Sequence, residues 1–588
     1  MIPFDTALAL PLGMVTWIDG LVIIGYLALA TVLGVALAGK QNTARDFYLG
    51  GRKLPWPAVA GSIIATEISA ITYVVVPYVI FRDGGNFTYL QLGLVGTLLA
   101  RIIVARYLIP AYFRRRIYSP YDYMGNHLGA GVHRLTSGLF CFGGILAQSS
   151  RIYLTALVLE LVLADPLLWL AGQSGLSTLF WAVAFIGVVG ILWTWLGGMA
   201  TVIWTDVLLF LVFVIGTLVS LTVIILSLPG GWGELVSAGQ AADKFVLWDW
   251  DPSPWKTFTV WTAVFAAVVF NVGAYGTDQL MAQRLFCCRD AKDAQKAMLA
   301  SYLGIGLTTI ILVLGVGLYA YYQAFPLEGQ AAELFAGQEN RIFALFMVES
   351  LPVGLAGLAL AGIFAAAISS FDSILAALAQ TSQKVVATWK HGLDQEDFET
   401  ESVGHSRWYV LAWGIALCGM ALLIARIADD YPTLLDLALA LASYTSGALL
   451  AGFFLAFLPL GINGRGYLMG APLAVATVLA ASAPYERTVT YFILAGVALV
   501  LLGGWLKWFQ RNGQRLPLGL TLLLGVGLAI PFLVQDLLYF SDPLTGINER
   551  YLIAWPWNGP IGFAMAFFFG WALAERKGVN RPADDPGQ

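Results

Sequence analysis

One length recurs along this chain and constrains its fold more than any other feature. Fifteen apolar segments, each near the roughly 20 residues a transmembrane helix needs, occupy 17–38, 56–80, 87–112, 134–164, 178–198, 203–228, 257–280, 298–323, 343–386, 408–427, 432–460, 467–484, 489–508, 516–536 and 553–574. Within hydrocarbon only helices and closed barrels satisfy their own backbone polar groups, and segments of this length are helical. The chain is 59% hydrophobic and 12% charged, against roughly 45–50% and about 25% in soluble domains, and the excess runs from end to end. The sequence therefore predicts an all-α integral membrane protein of about fifteen spans in a lipid bilayer. The ninth segment, 343–386, is too long for one crossing; an entry turn at Leu351–Pro352 and an extension past the bilayer are expected.

Charge orients the spans. With the N-terminus outside, 22 of the 32 Lys and Arg fall in inside loops, 7 outside and 3 within spans, as the positive-inside rule requires. This places the C-terminus in the cytoplasm and the protein in the cytoplasmic membrane. The first sixteen residues carry no Lys or Arg, so a cleavable signal peptide is not expected. No basic groove suggests nucleic acid. Cys141, Cys287, Cys288 and Cys418 show no metal-ligand spacing, and no nucleophile–base pair or phosphate loop suggests an enzyme.

Four polar interruptions carry the chemistry. "GSIIATEISAITYVVVPYV" (61–79) places Thr66, Glu67, Ser69, Thr72 and Pro77 in an apolar span. "FNVGAYGTDQ" (270–279) places Gly273, Gly276 and Asp278 in another, and Gly costs a helix interior about 1 kcal/mol against Ala. Both suit helices that break halfway, freeing carbonyls for a cation and amides for an anion; kinked continuous helices are the alternative. In "AAAISSFDS" (365–373) Ser369, Asp372 and Ser373 share one helix face, an all-oxygen patch of the type hard cations prefer. A polar face bonded to neighbouring helices would read the same way. "WTWLGGMATVIWTDVLLF" (193–210) adds Asp206 near the inner end of its span.

With "NTARDFYLGGRKLPWPAVAGSIIATEISA", "GGMATVIWTD", "GTDQLMAQR", "AAAISSFDS" and "SYTSGALLAGFFLAFL" in that order over residues 20–460, the chain resembles the sodium:solute symporter family. The resemblance implies a LeuT-type core of two inverted five-helix repeats working by alternating access, at 56–228 and 257–460. Around it lie an extra helix and cytoplasmic loop (1–55), an extracellular loop (229–256), further helices (461–574) and a cytoplasmic tail (575–588). It implies a first sodium ion held by carbonyls of Ala65, Ile68 and Ala366 with hydroxyls of Ser369 and Ser370. A second sodium, bound by some members, would fall on Asp206, Ser369, Asp372 and Ser373, with Asp372 and Asp206 paired across two helices.

The substrate is less legible. Positions that hold sugar ligands in the family's sugar transporters carry Ile71, Thr72 and Ile305 here, which speaks against a hexose. The expected pocket residues are Ser69, Thr72, Phe87, Gln91, Arg151, Asn271 and Tyr275. An intramembrane arginine is a functional-site hypothesis by default. Arg151 either anchors a substrate carboxylate or pairs with Glu67 or another buried acid, whereas Arg101 and Arg106 are expected to snorkel. The sequence thus predicts sodium-driven uptake of a small polar solute, leaning to an organic carboxylate or acidic sugar, with polyols and amino acids open. A proton-coupled symporter and a non-transporting sodium-dependent sensor are the alternatives, although the tail is too short for a signalling module.

Overall fold

A computed structural model describes residues 16–38, 43–327 except 116 and 118, 339–391, 403–428, 433–541 and 548–576. Residues 577–588 of the expected tail lie outside these. Each of the fifteen expected segments carries a helix, but fifteen full crossings are not borne out. Among the described residues eleven helices are long and apolar enough to cross a bilayer, or twelve counting one bent pair. The remainder fall short for physical reasons. Thr262–Gly276 stops at a break, Arg465–Ser482 begins on a charged residue, and Asn558–Ala572 has only 15 residues. The segment at 343–386 divides as expected, into Ile342–Ser350 and Leu355–His391 around Leu351–Pro352.

Both expected breaks are present. Helix Trp56–Glu67 ends when Ile68 leaves helical geometry (φ −84°, ψ 69°), Ser69 is extended, and Ala70–Phe81 continues at a 49° bend. The β-branched run Ile63, Ile64, Thr66, Ile68 weakens the helix there. The hydroxyl of Thr72 donates to the Glu67 carbonyl at 3.3 Å, satisfying one freed acceptor. In the second broken span Thr262–Gly276 stops at Thr277, and Asp278 caps Gln279–Phe286 by accepting from the Leu280 amide at 2.8 Å. Tyr112 donates its hydroxyl to the freed Gly276 carbonyl.

A third interruption, Tyr444–Thr445, separates Leu434–Ser443 from Ser446–Phe457. The "GG" of the fourth motif is a kink between spans Thr178–Trp195 and Gly198–Ser227, where Gly198 takes φ 54°, a conformation side-chain-bearing residues avoid. One end of the bundle carries the loop around helix Gly231–Ala241 and is called the loop end below.

The C-terminal helices are fused to this core through glycine. Ser446–Phe457 and Asn558–Ala572 approach so closely that a Cβ at Gly447 would press on the Gly559 carbonyl oxygen and lie 2.6 Å from the Phe563 amide nitrogen. Those atoms are backbone and cannot rotate away. Overpacking costs typically about 1–3 kcal/mol, so Gly447→Val lowers the melting temperature of the detergent-solubilised protein. Gly496→Val, on a helix where a Cβ meets nothing within 4 Å, leaves it unchanged; equal melting temperatures would contradict the packing described here.

Candidate functional site

The breaks open onto one central cavity of about 290 Å³, lined from both broken spans and from helices Phe87–Arg114, Ala130–Val162, Gly304–Ala324 and Leu434–Phe457. Its walls are mostly apolar, and its charged lining groups are Glu67, Arg101, Arg151 and Asp278.

Arg101 is held from all sides. Its Nη2 donates to both Glu67 carboxylate oxygens at 2.5 Å, its Nη1 to the Tyr275 hydroxyl at 3.2 Å and its Nε to Ser301 Oγ at 3.0 Å. The guanidinium also lies 4.5 Å from the Tyr275 ring centroid. Two π-helical stretches, Leu92–Thr97 and Val104–Leu108, flank its turn, a distortion frequent at functional sites. The residue is 1% exposed. Arg101 therefore does not snorkel: Glu67 offers a charge partner inside the bundle, and a charge-assisted pair outweighs reaching for the interface. Arg106 is exposed, as expected.

Glu67 being taken, Arg151 is left without an ion pair among the described residues. Its Nη1 donates to the Thr66 carbonyl at 3.4 Å, at the negative end of the first half-helix dipole. Asp278 shares the cavity and is near enough for the two charges to interact.

A second cluster sits beside the cavity and is fully dry. Asp206 accepts from Ser62 Oγ at 2.5 Å and from Ser369 Oγ, and pairs with Arg284 Nη2 at 3.3 Å, with both charged side chains 0% exposed. Arg284 also donates from Nε to Ser62 Oγ at 3.0 Å, from Nη1 to the Leu280 carbonyl at 2.8 Å and from Nη2 to Ser373 Oγ at 2.5 Å. One carboxylate thus joins the first broken span, the Gly198–Ser227 span, the second broken span's far half and helix Leu355–His391. Asp372 is bonded elsewhere: its Oδ1 accepts from Thr194 Oγ1 at 3.0 Å. Asp206, expected to share a cation with Asp372, is thus bonded to Arg284, and Asp372 to Thr194.

Farther from the loop end, Asp122 bridges Lys384 at 2.5 Å and His133 at 3.0 Å. Burial would raise its pKa, but these neighbours more than offset that and hold the carboxyl below its usual range.

Of the expected pocket residues, Thr72, Arg151, Asn271 and Tyr275 line the cavity; Ser69, Phe87 and Gln91 do not. Ser69 is buried at the head of the second half-helix. Phe87 packs on Phe245 at 5.4 Å, and Gln91 bonds the carbonyls of Thr88 and Phe258 and the Asp249 amide, tying down the loop end. The residues expected at the first sodium, Ala65, Ile68, Ala366, Ser369 and Ser370, are all at most 4% exposed. The helices that carry or border them, Trp56–Glu67 and Leu355–His391, are in contact. Sequence reasoning missed Ser62, Thr194 and above all Arg284. It placed Arg284, Cys287 and Cys288 in a cytoplasmic loop, whereas all three are buried; the neighbouring Arg289, Lys292 and Lys296 made the segment look solvated.

Two helices broken around a shared cavity, with a hydroxyl and carboxylate cluster alongside, are the architecture of secondary transporters. A profile of the sodium:solute symporter family matches residues 47–473. The chain belongs to that family: it is a sodium-coupled membrane transporter, not an enzyme. It is 28% identical to the sodium-coupled monocarboxylate transporter 1 of Xenopus laevis, over 78% of this chain and 71% of that one. It is also 28% identical to the sodium/sialic acid symporter of Proteus mirabilis, over 61% and 69%. A solved substrate-bound, outward-open Na⁺-coupled sialic acid symporter superimposes with a TM-score of 0.70, at 21% identity and over 95% of this chain and 99% of that one. The expected LeuT-type fold is thereby borne out.

Removing one partner of a buried pair costs about 3–5 kcal/mol, far more than replacing both by neutral groups. Arg284→Met therefore lowers the melting temperature sharply, and adding Asp206→Asn restores most of the loss. Additive losses in the double variant would show that the two charges are not coupled.

Proposed function

We propose that this symporter imports a small organic carboxylate with sodium, and that Arg151 anchors the carboxylate. One observation carries the reading: of the arginines around the cavity, Arg101 and Arg284 are each neutralised by a dedicated acid, and Arg151 is not. A monoanion seated against it would complete a charge-assisted fork, and Asn271 and Thr72 offer polar contacts on neighbouring walls. The relatives named for monocarboxylates and sialic acid, an acidic sugar, lend support from outside the chain. Asp278, close to Arg151, leaves a second reading in which the solute is an amino acid whose ammonium meets that carboxylate.

Sodium sits between carbonyls of Ala65, Ile68 and Ala366 and the hydroxyls of Ser369 and Ser370. A second sodium on Asp206, Ser369, Asp372 and Ser373 has to compete with Arg284, which already bonds Asp206 and Ser373. In the membrane of the cell the N-terminus lies outside and the C-terminus in the cytoplasm, so the loop end is extracellular. The two repeats are 56–228 and 257–460.

Two measurements test this. In proteoliposomes under an inward sodium gradient, Arg151→Ala abolishes uptake of labelled lactate or N-acetylneuraminate, whichever the wild type carries, while sodium still raises the melting temperature by mass action. If Arg151→Ala transports as well as wild type, the residue is structural. Ser369→Ala raises the sodium concentration for half-maximal stabilisation at least tenfold; an unchanged value removes that hydroxyl from the ion site.

A further inference from the structure

We infer that Trp555 is a solute-contacting, specificity-determining residue of the central cavity, supplied from outside the part of the chain that defines the family. The inference rests on the reading of this cavity as the solute site. The family match ends at residue 473, yet Trp555, on the turn before the last helix, lines the cavity together with Phe270 of the second broken span. The two rings meet edge to face, with centroids 5.9 Å apart and planes at 70°, a favoured aromatic geometry.

The turn that carries the indole is pinned on three sides. The Ile553 amide donates to the Ala481 carbonyl at 3.0 Å, the Ala554 amide to the Pro254 carbonyl at 3.0 Å, and Asn558 Nδ2 to Ser443 Oγ at 2.8 Å. Its anchors are therefore the loop end, a peripheral helix and the interrupted span Leu434–Phe457. Gly559 completes the fit, since a Cβ there would touch the Phe270 backbone at 3.4 Å. An aromatic ring this well fixed is a preorganised wall, which contacts a solute without having to be ordered first.

The cavity consequently has a charged wall, with Arg151 and Asp278, and an aromatic corner, Phe270 and Trp555. A carboxylate held at the first leaves the rest of the molecule to meet the second. Trp555 then reads the apolar end of the solute, and affinity rises with the length of the apolar tail until the corner is filled.

The test uses the full chain in proteoliposomes. Sodium-driven uptake of labelled lactate is inhibited with an unbranched series of monocarboxylates from acetate to hexanoate. In the wild type the inhibition constant falls along the series. In Trp555→Ala hexanoate weakens at least fivefold and acetate less than twofold, with sodium half-saturation unchanged, and Trp555→Phe restores most of the preference for longer chains. Equal weakening of acetate and hexanoate, or none, overturns the inference. If the wild type carries N-acetylneuraminate rather than lactate, that acid is the labelled solute in the same series; uptake of neither would count against the carboxylate reading instead. The cavity wall is then tested without a solute, by the rate at which a membrane-impermeant maleimide modifies Asn271→Cys over the background of the chain without it. Removing the indole speeds that reaction at least threefold if Trp555 closes the cavity; an unchanged rate overturns its placement.

Discussion

A helix that stops midway through a bilayer exposes backbone carbonyls and amides that water cannot reach, and each must find a partner inside the protein. The rest of this structure depends on how that demand is met at Ile68 and at Thr277. Around the first break, Thr72 and Arg151 serve the carbonyls of Glu67 and Thr66. Around the second, Tyr112 serves Gly276, and Asp278 serves the Leu280 amide. The groups that satisfy the breaks are also among those that line the cavity or border it. Backbone left over by this arrangement is what a sodium ion can use, so under the proposed function the requirement that makes the breaks costly also supplies the ion's ligands.

Charge is organised on the same plan. Two arginines are locked, Arg101 to Glu67 and Arg284 to Asp206, and each ties several helices to one point. The second of these joins four spans at a spot with no solvent exposure, on the side of the cavity away from the loop end. In alternating access that side must open, and opening separates Arg284 from Asp206 or moves them together as a unit. Only in the first case does the free energy of that contact enter the balance between states, because an interaction kept in both states cancels from their difference.

Residue types and spacing made much of this legible. Gly273, Gly276 and Asp278 marked the second break, the polar run from Thr66 to Thr72 marked the first, and the acids Asp206 and Asp372 stood out because apolar spans rarely carry them. Partnership was not legible. Glu67 meets Arg101 from 34 residues away and Asp206 meets Arg284 from 78, and no local pattern relates either pair. Arg284 was hidden by the cations that follow it, and Gln91, one of the expected pocket residues, is consumed by the loop above. Trp555 carried no signal, since its position against Phe270 depends on helices far beyond the shared motifs. The count of about fifteen crossings is not confirmed, because hydropathy alone does not distinguish a full span from a half-helix or a short one.

The central claim is that sodium and a carboxylate bind to one transporter with energetically coupled sites. Coupling is reciprocal: the factor by which sodium tightens the carboxylate must equal the factor by which the carboxylate tightens sodium. The direct measurement is calorimetric titration of the purified protein with lactate at low and high sodium, and with sodium at low and saturating lactate, repeated with N-acetylneuraminate. The account predicts that one of these acids binds, and that both titrations give the same factor, of about tenfold or more. A carboxylate that binds equally well with and without sodium would contradict it, as would a protein that binds sodium but neither acid.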